Sequence, residues 1–407
     1  MIISRHIISL IIGVTFAYPA VSAQKFNSED AVLSHGVQTL NAWVEINTGI
    51  FESNIANLNK IISEKSKLCA VLKADAYGHG IKLVMPSILK MGVECVAVAS
   101  NDEARLVRQS GFDKRLMRVR TASSGEIEDA LKYNMEELIG NIDQAKEVSV
   151  LAQQTHKIIN IHLALNTGNM SRNGLELSAE HGKTEALNIV KMPGLNVVGI
   201  MTHFNLTNKD AVRAELSNFK EQAKWLMNAA GLDRNNILFH AANTFATLEV
   251  PESHLDMVRV GNLLFGNGAS GRTDYRPVMQ FKSRVAVVND YPAGNVVGYE
   301  ATYKLKRASK LANIPVGFSD GLFRTNSNKG FVLIQGHKVP IVGSVTMNTI
   351  MVDVTDFPDI RANDAVVLYG AQHHNCISEQ EAEASNNTDI TELNTIWGNS
   401  NHKVIVQ

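Results

Sequence analysis

Between residues 68 and 261 the chain repeats one pattern, a short apolar run followed by a longer stretch with helically spaced apolar residues. The runs are 69–74, 93–99, 115–120, 136–140, 158–166, 196–203, 237–242 and 256–261. Eight runs separated by about 20 to 40 residues match the count and spacing of a (β/α)8 barrel. Beyond about residue 270 the helical pattern stops. Alternating runs at 279–289, 296–305, 331–335, 339–353 and 364–369 then predict a β-rich second domain. The expected fold class is α/β: a (β/α)8 TIM-type barrel over 42–270, then a β-rich C-terminal domain over 271–407. The strand at 42–46 precedes the first helix and is able to join the β-domain. In that helix Asn47 or Thr48 is the expected N-cap, and Ile50, Phe51, Ile55, Leu58, Ile61 and Ile62 share one face.

The first 23 residues stand apart. Arg5 and His6 precede the mostly apolar run Ile7–Tyr18, and Val21-Ser22-Ala23 supplies small side chains at a cleavage site. This is the pattern of a secretory signal peptide, removed after Ala23. The polar segment 24–41 follows as a lead-in, and a periplasmic location is expected. Among the 407 residues, 39 Lys and Arg nearly balance 40 Asp and Glu. There is no basic excess to suggest nucleic acid, and no further apolar run suggests a membrane anchor. Small molecules are the expected partners.

Strand parity sorts several polar residues. In 158–166, Ile159, Ile161, Leu163 and Leu165 share a face, opposite Asn160, His162, Ala164 and Asn166. The aliphatic face should pack on helices, leaving the polar face to the barrel interior. In 115–120, Arg118 and Arg120 share a face opposite Met117 and Val119. Aimed at the barrel mouth, the two arginines would need a carboxylate, phosphate or halide; otherwise they pair with local acids or reach solvent.

The most specific string is Ala70-Val71-Leu72-Lys73-Ala74-Asp75-Ala76-Tyr77-Gly78-His79-Gly80. A lysine closes an apolar strand and a glycine-rich turn follows. A lysine at a barrel mouth can form a Schiff base with a carbonyl, and glycines let Tyr77 and the backbone approach a bulky ligand. The string resembles the cofactor-lysine motif of the alanine racemase family. That likeness runs from about Ala42 to the C-terminus. It implies a fold type III enzyme dependent on pyridoxal 5'-phosphate, with Lys73 bound to the cofactor and Tyr77 hydrogen-bonded to its phosphate.

Other segments resemble the family piece by piece. Met201-Thr202-His203-Phe204 is similar to its strand-end histidine, and Ala242-Asn243-Thr244 to its Asn-Ser phosphate turn. Asp256-Met257-Val258-Arg259-Val260-Gly261 resembles the Met-Val-Arg-Pro-Gly segment, with Val260 for Pro. The resemblance implies that Arg259 faces the pyridine nitrogen and that Gly261 and Asn262 reach the phosphate. Gly298-Tyr299-Glu300-Ala301-Thr302-Tyr303 resembles the Tyr-Gly-x-x-Tyr segment, with Glu300 for Gly. It implies that Tyr299 is the second catalytic base, donated across a homodimer to a shared active site. Val345-Thr346-Met347-Asn348 resembles the segment whose Met N–H, here that of Met347, receives the substrate carboxylate. Racemisation removes the α-proton on one face and returns one on the other. Two bases on opposite sides are needed, and the implied chain Arg259–His203–Tyr299 would stabilise the phenolate.

Departures from the family point to specificity. Where ordinary members resemble Lys-x-Asp-Thr-Gly-Met-x-Arg-x-Gly, this chain has Ala164, Asn166, one inserted residue, then Arg172, Asn173 and Gly174. Arg172 is matched to the arginine beside the cofactor's phenolic oxygen and the substrate. Asn166 and Arg172 could hold a small anion where the family's lysine is carbamoylated. The set Arg118, Arg120, Ala164, Asn166 and Asn173 resembles the broad-spectrum periplasmic racemases. The family's C-terminal Tyr-Arg-Val-Pro-Arg is replaced by Trp397-Gly398-Asn399-Ser400-Asn401, which suggests a wider pocket accepting Lys, Arg, Met and Leu besides Ala. Cys69 and Cys95 lie at similar heights on consecutive parallel strands. A disulfide between them is expected, leaving Cys376 free. A narrow alanine racemase and a non-catalytic pyridoxal-phosphate carrier are the alternatives. A barrel-type decarboxylase would show a Gly-Gly-Gly run and a β-domain cysteine, where Thr346 stands instead. No metal site is expected.

Overall fold

The structure is a computed structural model that describes residues 39–168, 173–268 and 272–407. Its opening strand β1 (Ala42–Asn47) leads into helix α1 (Thr48–Ile61). Asn47 is the N-cap, its side chain accepting from the Ile50 amide at 2.8 Å. Phe51, Ile55 and Leu58 bury the expected face.

All eight predicted barrel strands are present. They are β2 (Lys67–Val71), β3 (Cys95–Val98), β4 (Arg115–Arg118), β5 (Glu137–Ile139), β6 (Ile159–Ala164), β7 (Leu195–Met201), β8 (Leu238–His240) and β9 (Met257–Val260). A short turn α2 (Lys73–Tyr77) follows β2 and leads to α3 (Ile81–Lys90). Helices α4 (Asn101–Gln109), α5 (Ser124–Ala130), α6 (Ile142–Gln154), α7 (Glu180–Val190), α8 (Lys209–Ala230) and α9 (Thr244–Glu249) fill the remaining crossovers. The ladders run β4-β3-β2-β9 and β5-β6-β7-β8, all parallel. Backbone bonds close the ring: Arg118 N to Glu136 O at 2.9 Å between β4 and β5, and Arg259 N to Ala242 O at 3.0 Å between β8 and β9. Capping boxes start α4 (Ser100 with Glu103) and α5 (Ser123 with Glu126), satisfying amides that helix starts leave unpaired.

The second domain contains β10 (Met279–Arg284), β11 (Val287–Tyr291), β12 (Val296–Val297), β13 (Tyr303–Lys304), β14 (Ser309–Ile314), β15 (Phe331–Ile334), β16 (His337–Val342), β17 (Ile350–Asp353), β18 (Ala365–Gln372), β19 (Asn375–Ile377) and β20 (His402–Val406). Strand β1 does join it, antiparallel to β10 and parallel to β20. The expectation that helical pattern stops near residue 270 needs correcting. Helices α10 (Glu379–Asn386) and α11 (Ile390–Ser400) lie late in the chain, their burial reduced to a few positions such as Ala382, Ile390 and Leu393. Trp397, from α11, is a core residue stacked on Phe281 at 5.4 Å and bonded to Gly321 O.

The predicted strand 69–74 ends at Val71, because the chain at Lys73 leaves the sheet. The parity of β6 holds: Ile159, Ile161 and Leu163 are buried in the hydrophobic core, and His162 points into the barrel. The parity of β4 is the reverse of the arginine-inward reading. Arg118 bonds Glu137 at 2.7 Å, Asn101 of α4 and Ala99 O, while Arg120 pairs with Glu126 of α5. Arg118 therefore lies buried between strand and helix, Arg120 lies half-exposed beside α5, and Val119 takes the mouth of the barrel. Local carboxylates neutralise them, so they need no outside anion. The signal-peptide segment 1–23 and most of the lead-in fall outside the described residues. Among the described residues no helix is long and apolar enough to cross a membrane.

Candidate active site

A cavity of about 490 Å³ opens at the C-terminal end of the barrel strands. Lys73, Tyr77, His203, Asn243, Thr244, Arg259, Gly261, Asn262, Asn166 and Asn173 all line it. The chain thus gathers most of the residues singled out in the sequence from five separate segments.

Lys73 is presented by an unusual turn. Ala74, Asp75, Ala76 and Tyr77 have φ of 54°, 52°, 56° and 55°, a left-handed run in non-glycine residues. Each such residue costs roughly 1–2 kcal/mol, so neighbours must hold the turn. Within it, Ala76 N bonds Leu72 O and Gly78 N bonds Ala74 O. Glu103, the capping-box residue of α4, accepts from Asp75 N at 3.2 Å and from Ala99 N at 2.8 Å. Lys403 of β20 pairs with Asp75 at 3.2 Å. Helix α11 packs so closely that a Cβ on Gly398 would fall 1.9 Å from Gly78 O. Beneath the turn, His79 donates from Nδ1 to the Ala76 and Tyr77 carbonyls at 3.0 Å, and its ring stacks on Phe265. Burial lowers the His79 pKa to about 4.

Tyr77 stands against bare backbone: a Cβ on Gly261 would lie 2.2 Å from its Oη. That contact requires glycine at 261. Asn262 Oδ1 is buried without a protein partner. Tyr77, Thr244 and Asn262 bring hydroxyl and amide groups to one side of the cavity, a donor set suited to a phosphate. The Asn243 side chain is differently engaged. It accepts from Ala246 N at the start of α9 and donates to Phe204 O, so it shapes the turn that presents Thr244.

Arg259 enters from the barrel interior. Its guanidinium donates to His240 Nδ1 at 2.7 Å, to Thr202 O at 2.9 Å and to His203 Nδ1 at 3.4 Å. The Arg259–His203 link expected from the resemblance is therefore in place.

Other residues stand apart. Tyr299 is 75% exposed and Met347 57% exposed, and neither lines the cavity of its own chain. They occupy one rim of the second domain: Ser344 Oγ donates to Tyr299 O at 3.2 Å, and Ser319 holds Met347 O. Glu300 and Ala301 have φ of 61° and 52°, so Glu300 occupies a conformation that glycine would adopt without strain. Arg172 lies outside the described residues. Ala164 is buried with Leu138 and Met201 just below the cavity. Asn166 donates one of its two amide hydrogens to Glu176 at 2.6 Å. Cys69 and Cys95 are register partners and form the expected disulfide, and Cys376 is free and exposed.

Val119, Leu138, Met201, Thr207, Phe245 and Thr391 also line the cavity and were not singled out in the sequence. Parity at the strand ends would have found Val119 and Leu138. Thr391 carries no such signal, since it comes from α11 in the second domain.

Residues 38–268 match the alanine racemase N-terminal domain, and residues 278–405 match the alanine racemase C-terminal domain. The chain belongs to the alanine racemase family. A family relative from Pseudomonas taetrolens, a broad specificity amino-acid racemase, is 54% identical over 99% of this chain and 98% of its own length. A lysine racemase from Proteus mirabilis is 46% identical, covering 90% of each chain. Among solved structures, alanine racemase of Clostridium difficile 630 in complex with cycloserine superposes with a TM-score of 0.81 at 25% identity, covering 90% of this chain and 96% of that one.

Proposed function

We propose that the protein racemises free amino acids with pyridoxal 5'-phosphate, over a broad range of side chains, using Lys73 and Tyr299 as its two bases. The convergence of Lys73, Tyr77 and Arg259 in one cavity carries this reading. Tyr77, Thr244, Gly261 and Asn262 would hold the phosphate, Lys73 the aldehyde carbon, and Arg259 the ring nitrogen. When bound, the cofactor withdraws electrons from the substrate α-carbon and so makes its proton removable.

The remaining work falls to the chain's own groups. Lys73 Nζ takes or returns the α-proton on one face. Tyr299 Oη of the partner subunit serves the other, with His203 between it and the fixed charge of Arg259. Arginine carries only donors and keeps its proton, so Arg259 would donate to a ring nitrogen there and keep it unprotonated. The exposure of Tyr299 and Met347 on a shared rim supports a homodimer that inserts them into a second copy's cavity. Uncharged Asn166 and Asn173 and short Thr391 leave the cavity open to long substrates. The signal pattern of residues 1–23 supports release of D-amino acids in the periplasm.

Chiral chromatography on L-Lys, L-Arg, L-Met, L-Leu and L-Ala tests this. The D-enantiomer is expected from each. Turnover of alanine alone would instead favour the narrow racemase, and an intact cofactor band with no turnover would favour the carrier.

A further inference from the structure

A buried polar chain runs through the barrel beneath the cavity. Arg259 Nη1 lies 2.7 Å from His240 Nδ1, His240 Nε2 lies 2.9 Å from His162 Nδ1, and His162 Nε2 lies 2.7 Å from Glu136 Oε2. Arg115 Nε closes the far end, 3.0 Å from the same carboxylate. Both imidazoles are fully buried. The chain has room because residue 199 is glycine: a Cβ there would fall 2.2 Å from His162 Nδ1.

We propose that Glu136 and His162 are positioning residues for Arg259, acting through His240. Arginine can only donate, so His240 Nδ1 must accept. A neutral imidazole has one proton, which His240 then carries on Nε2. That proton points at His162 Nδ1, which must in turn be bare, and the His162 proton sits on Nε2 facing Glu136. Every donor therefore runs from Arg259 towards one carboxylate, and the tautomers of both rings follow from Arg259 alone. Burial, together with the charge of Arg259, holds His240 well below its ordinary pKa, in keeping with a neutral ring. Burial raises the Glu136 carboxyl, but the bonds from His162 and Arg115 outweigh it and keep the group below the usual range. The chain is not a route for protons, because Arg259 cannot release one. It fixes where the guanidinium points. The consequence for catalysis rests on the reading of Arg259 as the partner of the cofactor ring.

The first test is ¹⁵N NMR of histidine-labelled protein as purified, with resonances assigned from His162→Gln and His240→Gln. The groups facing the two rings are Arg115, Glu136, Arg259 and, beyond Arg259, His203. At neutral pH both rings are expected to show a protonated Nε2 and a bare Nδ1, and His240 to stay neutral from about pH 5.5 to 9. Titration of His240 in that range, or a proton found on Nδ1 of either neutral ring, overturns the proposal. The second test compares His162→Leu with His162→Gln, which retains an acceptor for His240. His162→Leu is expected to lower kcat about tenfold or more with little change in KM and to displace the absorption band of the bound cofactor, and Gln to restore most of both. A folded His162→Leu protein with unchanged kcat and band also overturns it. If the wild-type protein racemises nothing, the functional reading fails while the NMR result still decides this one.

Discussion

His79 shows how one buried group can tie the site to pH. Its Nδ1–H serves two carbonyls of the left-handed turn, and its Nε2 is buried with no protein partner, so the folded state favours the neutral ring. With a folded pKa of about 4 against an ordinary 6.5, the unfolded chain binds the extra proton between those values. Stability is therefore complete above pH 6.5 and is lost as pH falls towards 4, by up to ~3 kcal/mol. Urea midpoints at about pH 7 and pH 5 should show this fall, and His79→Gln should flatten it. An equal slope in the variant would show that other groups are responsible. At the same scale, the Arg118 pairing explains why parity alone misled. Both faces of β4 are buried, and the acid that neutralises Arg118 sits on β5, nineteen residues away. Nothing in the run 115–120 announces Glu137.

Among the elements, β2 and β3 carry the covalent tie. Cys69 and Cys95 are direct partners on parallel strands, and their bond closes a loop of 26 residues just below Lys73. A loop of that size is worth about 3 kcal/mol through the unfolded chain. Denaturation of Cys69→Ala/Cys95→Ala should show a loss of that order. No change on removing both sulfurs would mean that the bond is absent in solution. The barrel strands were legible because each is a short apolar run between helices, and the phosphate side of the site through the resemblance of its segments to those of the family; the structure adds that Gly261 must be bare where Tyr77 lies. Less legible was the turn after β2, since alanine and aspartate do not advertise a left-handed conformation. It exists because Glu103, Lys403 and α11 hold it from outside the motif. Helix α10 is short and buries little apolar surface, whereas α11 carries Ile390, Leu393 and Trp397 at helical spacing, a signal the sequence did offer. The inner chain from Glu136 to Arg259 was hidden too: β6 parity placed His162 inside, but not what it would meet there.

At the scale of the molecule, the two proposed bases lie apart within one chain. The cavity holds Lys73 and Arg259, while Tyr299 and Met347 face outward on another rim. The proposed twofold dimer would resolve this, because the same pair of surfaces would meet twice and each site would draw on both subunits. Subunit mixing tests that directly. Lys73→Ala and Tyr299→Phe chains, each inactive alone, are co-expressed with different tags and the mixed dimers assayed. A mixed dimer has one site with both bases intact and one with neither, so the isolated mixed dimer should show about half of wild-type activity, and an unseparated random mixture about a quarter. Activity no greater than that of the separate variants would contradict the account, since both bases would then belong to a single chain or would not share a site.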